Sequence, residues 1–148
     1  MYLKRIRTII PVYWAGFVSA ISFFEAWLKF RAEGVSLDIG LRIGKLIFSS
    51  LNKVELIFAA LSWLLVLIVP QKHKTSTLSL KLLLSTVTLV LLLQTIWLLP
   101  HLSARADIII EGGHPTSSPI HLLYGVLEVL KVTCLIVMAF QLTNNEQN

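Results

Sequence analysis

Residues 78–99 read LSLKLLLSTVTLVLLLQTIWLL, and this stretch decides the fold. Its one ionisable residue, Lys81, lies in the first turn. An α-helix rises about 1.5 Å per residue, so a helix of this length crosses a bilayer hydrocarbon core of about 30 Å. Apolar runs of about 20 residues are typical of transmembrane helices. The stretch therefore predicts a membrane span.

Three more apolar segments follow the same pattern, at residues 9–30, 46–69 and 120–142. The 148-residue chain is 55% hydrophobic and only 14% charged, and a soluble domain of this size cannot bury so much apolar surface. We therefore predict a single all-α domain over residues 1–148. Its architecture is expected to be an integral membrane up-down four-helix bundle with the lipid bilayer as its first partner.

Charged residues are distributed unevenly between the two predicted membrane sides. Six basic residues lie on one side, in the amino terminus, the polar turn at 71–76 and the first turn of the segment at 78–99. Only Glu146 is acidic on that side. On the opposite side seven basic and seven acidic residues balance. Because the formal net charge of +5 lies on one side, the positive-inside rule predicts that both termini are cytoplasmic, in a bacterial plasma membrane. A basic face for nucleic acid is not expected.

All four apolar segments contain polar or ionisable residues, and these residues fall toward the predicted outer side. They lie late in the first and third segments and early in the second and fourth, so alternating helices bring them to one level. An ionisable group in hydrocarbon costs about 2.5–3.5 kcal/mol on insertion scales, which makes such groups candidates for a functional site. The candidate ligand-binding residues are Glu25, Asn52, Glu55, His101, Arg105, His121, Glu128 and Lys131.

Helical spacing predicts that these residues converge, because positions three, four and seven apart share a helix face. We expect four stripes facing the bundle axis, with a polar cavity in the outer half of the bilayer above an apolar cytoplasmic half. The stripes are Ser22/Glu25/Lys29, Asn52/Glu55/Ala59/Ser62, Gln94/His101/Arg105 and His121/Tyr124/Glu128/Lys131.

Several functions fit such a cavity. The leading interpretation is a pocket for a small polar or amphipathic ligand, either a small molecule or a lipid headgroup, in which Arg105 and Lys131 pair with an anion. A proton-coupled transporter would use Glu55 or Glu128 as the titrating group. In a structural or assembly subunit, which includes a homo-oligomer, the charges instead pair with each other, as in Glu128 with Lys131, and fix helix packing.

A metalloenzyme is a further alternative. The carboxylate and imidazole groups of Glu25, Glu55, His101, His121 and Glu128 are metal-ligand types, and the two histidines could also ligate haem. Di-iron bundles carry Glu-x-x-His on two helices, a motif that this chain lacks, so we assign no metal ligand and no cofactor. The chain has no Gly-x-Ser-x-Gly motif of a serine hydrolase either, and an enzymatic activity stays open.

Local signals predict how the segments begin, end and meet. Gly40 and Gly44 have the spacing that permits close helix contact. Trp14 is assigned to the aromatic belt at one membrane interface. Pro100 predicts a kink or a helix end near Leu99, followed by a long polar loop over residues 101–119 that we consider as a lid over the site.

Three short motifs resemble the transmembrane-protein-205-like domain of small bacterial membrane proteins. They are the run from Phe17-Val18-Ser19 to Phe30-Arg31, the stretch Gly44-Lys45-Leu46-Ile47-Phe48, and Leu99-Pro100-x-Leu102-x-x-Arg105. The resemblance implies a four-span bundle and no defined activity. It does not extend to the pattern of Glu25, Glu55 and Glu128.

Overall fold

The computed structural model describes residues 2–69 and 74–147, and its regular structure in these ranges is entirely helical. Four long helices make up the fold: α1 (Tyr2–Arg31), α2 (Leu37–Ile68), α3 (residues 74–110) and α4 (Ile120–Gln147). All four are long and apolar enough to cross a membrane, which confirms the all-α prediction and the number of candidate spans. Residues 71–73 of the predicted polar turn at 71–76 lie outside the described residues, and residues 74–76 belong to α3.

The helices pack side by side around a shared core. Helix α1 contacts α2 and α4, and α3 contacts the same two helices. At one end of α1, the buried Arg7 Nη1 donates a hydrogen bond to the Val69 carbonyl at the end of α2. In the half of the bundle nearest Val69, most of the core is made of apolar side chains such as Leu84, Leu135 and Met138, with Ser62 and Arg7 as buried polar residues.

Helix α2 begins nine positions before the predicted apolar segment at 46–69. Ser36 occupies the N-cap position in an extended conformation, with φ −71° and ψ 164°, and its hydroxyl donates to the Asp38 carboxylate. An acidic side chain in the first turn also interacts favourably with the helix dipole. These polar signals start the helix ahead of its apolar part.

Gly40 and Gly44 lie on α2 where α1 comes closest, as their spacing predicts. A Cβ built on Gly40 would lie only 2.2 Å from Cε1 of Phe30, and one on Gly44 would lie 3.3 Å from Cε of Lys29. The absence of these two methyl groups lets the end of α1 rest directly on the α2 backbone. It thereby positions Phe30 and Lys29 beside the cavity described below.

Helix α3 continues past Pro100 to Ile110, so the predicted helix end near Leu99 is wrong. Gln94–Leu98 form a π-helical turn immediately before the proline. In a regular α-helix the proline ring would clash with the carbonyl four residues earlier, and the wider turn relieves this conflict. The predicted loop at 101–119 is consequently shorter, because only residues 111–119 connect α3 to α4.

Candidate functional site

A buried charge cluster lies where α2, α3 and α4 meet. Lys131 Nζ is 2.6 Å from Glu55 Oε1, 3.1 Å from Glu128 Oε1 and 2.7 Å from Gln94 Oε1. The lysine and both glutamates are 0% exposed. An ammonium group has three N–H donors, so these three acceptors use all of its donors.

Two further hydrogen bonds complete the network. The Trp14 indole N–H on α1 donates to Glu55 Oε1 at 3.0 Å, and Gln94 Nε2 donates to Glu128 Oε1 at 3.0 Å. We call Trp14, Glu55, Gln94, Glu128 and Lys131 the Lys131 cluster. Every long helix contributes at least one side chain to it, so the cluster ties the four helices together.

Two oxygens of the Lys131 cluster have no hydrogen-bond partner. These are Oε2 of Glu55 and Oε2 of Glu128, and both are buried. A buried polar atom without a partner costs about 1–3 kcal/mol, and more when it is charged. The cluster therefore contains more carboxylate than its single ammonium group can neutralise.

A cavity of about 300 Å³ lies at the end of the bundle where α1 ends and α4 begins. Its walls are largely apolar and include Phe30, Phe48, Leu102 and Ile109. Tyr124, which is only 5% exposed, also lines it. The volume is at the lower end of the range that is typical of small-molecule sites.

Besides the hydroxyl groups of Ser103 and Tyr124, the polar side chains of the cavity are basic. Lys29, Lys45, Arg105 and His121 line it, and the described lining residues include no acid. Arg105 has no ion-pair partner among the described residues. A guanidinium group beside an apolar cavity, without a carboxylate, is available to an external anion.

The two lysines of the cavity are engaged with acids outside its lining. Lys29 Nζ is 3.3 Å from Oε2 of Glu25, four residues earlier on the same helix. The same ammonium group lies 5.3 Å from the centre of the Phe30 ring and 5.5 Å from that of Phe48, within cation–π distance. Lys45 pairs with Asp107 and so joins α2 to α3. Arg105 is thus the more available cation.

The structure divides the predicted site into two parts. Glu55, Glu128 and Lys131 lie in the Lys131 cluster, whereas Arg105 and His121 line the cavity. Lys131 is not among the residues that line the cavity with Arg105, and the predicted pairing of both with one anion stays a prediction.

The other three candidates lie outside both parts. Asn52 is buried and donates to the Thr95 hydroxyl at 2.8 Å, a bond between α2 and α3. Glu25 lies beside the cavity through its pair with Lys29. His101 is exposed, and its Nδ1 lies 2.9 Å from the Trp97 carbonyl of its own helix.

The predicted stripe of Gln94, His101 and Arg105 is therefore wrong for His101. Positions seven apart share a face only in an uninterrupted α-helix, and the π-helical turn at Gln94–Leu98 adds one residue to that turn. An extra residue rotates the following positions by about 100°. Leu102, not His101, accordingly faces the cavity.

Trp14 belongs to the Lys131 cluster, although its sequence position predicts the aromatic belt at a membrane interface. It is 0% exposed and stacks on Phe58 with ring centres 5.9 Å apart, so its assignment to the membrane interface is wrong. A signal was present in the sequence. Arg7, Pro11, Trp14 and Val18 recur at three- and four-residue intervals and form the buried face of α1.

In the described part of the chain, no three His, Cys, Asp or Glu side chains lie close enough together to hold a metal ion. Glu55 and Glu128 share Lys131, and His101 faces away from both.

Comparison of the chain with models of known families, with curated proteins and with solved structures finds no match. The resemblance to the transmembrane-protein-205-like domain stays a prediction.

Proposed function

We propose that this chain is a multi-pass protein of a bacterial plasma membrane that binds an anionic amphiphile in the cavity beside Arg105. The ligand class is an apolar chain or ring system with a single carboxylate or phosphate headgroup. Such a molecule matches a largely apolar wall with basic side chains. A free small molecule and a membrane lipid share this chemistry, and the experiment below separates them.

An up-down topology is supported by contacts along the helices. On α1 and α2, Arg7 bonds to Val69, Trp14 to Glu55, and Phe30 packs on Gly40, so one residue number rises as the other falls. An even number of spans returns the chain to its starting side. The excess of basic residues near the amino terminus favours the cytoplasm for that side. With this proposed orientation, the cavity lies in the outer half of the bilayer.

The observation that carries the proposal is the unpaired Arg105. Lys29 and Lys45 each have a carboxylate partner at the cavity edge, whereas Arg105 has none among the described residues. Arg105 is half-buried, and a guanidinium group that is shielded from part of the solvent gains more from an anion than a fully exposed one, because the local dielectric constant is lower.

The Lys131 cluster has a different role in this proposal. Its lysine has no donor left for a ligand, and its five side chains join all four helices. Breaking a buried pair costs about 3–5 kcal/mol, so the cluster fixes the helix arrangement that shapes the cavity. The cavity, and not the cluster, is the proposed ligand site.

The test compares ligands of equal apolar size and different charge. The purified chain in phosphatidylcholine nanodiscs is titrated with laurate and with dodecanol, and native mass spectrometry compares retention of phosphatidylglycerol with that of phosphatidylcholine. Preferential binding of laurate identifies a free anionic amphiphile, and preferential retention of phosphatidylglycerol identifies a lipid headgroup. Equal binding within both pairs would refute the proposal.

Variants then assign the anion contact. Loss of one charge-assisted pair is worth about 1.5–3 kcal/mol, so Arg105→Gln should weaken the preferred anion at least about tenfold. Arg42→Gln, which removes an exposed arginine of α2 outside the cavity lining, should leave binding unchanged. Unaltered binding in Arg105→Gln would locate the site elsewhere.

A further inference from the structure

We propose that the Lys131 cluster is a proton-binding site that holds one exchangeable proton at neutral pH, on Glu55 or Glu128. The proton comes from water and binds a carboxylate oxygen, which leaves that carboxyl group neutral. The site is separate from the proposed ligand cavity and does not depend on what the cavity binds.

The Lys131 cluster carries an excess negative charge when both of its glutamates are ionised. Lys131 carries one positive charge, whereas Glu55 and Glu128 carry two negative charges when both are ionised. All three side chains are 0% exposed, so water does not screen the excess charge. When two carboxylates share a dry site, repulsion and desolvation keep one of them protonated.

The hydrogen bonds of the Lys131 cluster leave one oxygen of each carboxylate without a donor. The Nζ donors of Lys131 are used by Glu55, Glu128 and Gln94, so the lysine cannot also reach the Oε2 atoms. Both Oε2 atoms are buried and lack a partner. A proton on one of them removes the excess negative charge, while both Oε1 atoms keep the hydrogen bonds observed.

The described part of the cluster contains no second cation that could neutralise the other carboxylate. The groups that face the two carboxylates are neutral apart from the lysine: Trp14 from α1, Gln94 from α3 and Tyr124 from α4. Three other buried or half-buried cations are engaged elsewhere, since Arg7 binds the Val69 carbonyl, Lys29 pairs with Glu25 and Lys45 pairs with Asp107. The half-buried Arg105 lines the cavity and has no contact with the two carboxylates among the described residues.

Tyr124 lies on the side of the cluster from which we expect the proton to exchange with water. It precedes Glu128 by four residues and shares its helix face, and it also lines the cavity. On the other side of the cluster, Leu84, Leu135 and Met138 are packed with 0–2% exposure. Exchange is therefore expected from the cavity side, with the apolar half of the bundle closed.

Infrared spectroscopy of the full chain tests this proposal, because a protonated carboxyl group has a C=O stretch that a carboxylate lacks. At pH 7 the wild-type chain should show one such band, and it should shift when D₂O replaces H₂O. Glu55→Gln and Glu128→Gln should each abolish the band, because the remaining carboxylate then pairs one-to-one with Lys131. Glu25→Gln should keep it, since Glu25 pairs with Lys29 outside the cluster.

The wild-type spectrum alone can overturn the proposal, even if a variant fails to fold. No protonated carboxyl band at pH 7 would show that both glutamates are ionised. A band that disappears in Glu25→Gln, or persists in both cluster variants, would place the proton elsewhere. Laurate binding by Glu55→Gln is measured in parallel. Because the cavity is separate from the proton site, laurate binding tests the cavity proposal whatever the infrared spectrum shows.

Discussion

Replacing Lys131 with methionine should destabilise the protein in a strongly pH-dependent way. Methionine has a similar length and removes only the ammonium group and its three contacts. The carboxylate that Lys131 neutralises in the wild-type chain must then be protonated for the chain to fold. At the same time Gln94 Oε1 loses its partner at 2.7 Å.

The size of the effect follows from these two losses. Protonating a glutamate with an ordinary pKa of about 4.3 costs about 3.7 kcal/mol at pH 7 and about 1 kcal/mol at pH 5. The unsatisfied amide oxygen adds about 1 kcal/mol at either pH. We therefore expect a loss of about 4–5 kcal/mol at pH 7, within the range for breaking a buried ion pair, and of about 2 kcal/mol at pH 5.

Unfolding in mixed micelles of a mild detergent and SDS measures this difference. Tryptophan fluorescence reports the transition, because Trp14 is buried and bonded to the cluster. The control is Lys4→Met, which removes an exposed lysine at the start of α1, ahead of the apolar segment at 9–30, and should change the unfolding free energy by less than about 0.5 kcal/mol. A Lys131→Met loss below about 1 kcal/mol at pH 7, or one that is equal at both pH values, would refute the reasoning.

Two further predictions use the same unfolding measurement. Gly40→Ala should be about 1–3 kcal/mol less stable than Gly16→Ala, because a Cβ at Gly40 meets the Phe30 ring at 2.2 Å whereas a Cβ at Gly16 meets nothing within 4 Å. Equal stabilities would show that the ring moves away freely. Trp14→Phe keeps an aromatic ring but removes the donor to Glu55, so a loss of about 1.5–3 kcal/mol is expected, and no loss would mean that this hydrogen bond contributes nothing.

The sequence determined the helical class, the four helices that are long and apolar enough to cross a membrane, and much of the buried polar set. The length of each apolar run predicts a span without reference to its neighbours, because crossing the hydrocarbon core is a local requirement. Helical periodicity likewise predicts that Asn52, Glu55, Glu128 and Lys131 face inward. That prediction is correct for all four, since each is buried.

Tertiary structure decided which of these groups meet. The charge pairs that cross between helices depend on how far each helix is rotated about its axis, and sequence spacing does not contain that angle. Trp14 reaches Glu55 through packing of α1 on α2, although the two are distant in sequence. The π-helical turn before Pro100 rotates the rest of α3, so His101 turns outward and Leu102 lines the cavity.

The division of one predicted polar site into a saturated cluster and a basic cavity has the same physical origin. Lys131 meets two carboxylates and an amide at one level of the bundle, which uses all its donors. Arg105 lies at another level, where the described residues supply no acid for it. The sequence alone determined that charges are buried. Only the three-dimensional packing determined which cation stays available, because pairing depends on distances of a few ångströms between different helices.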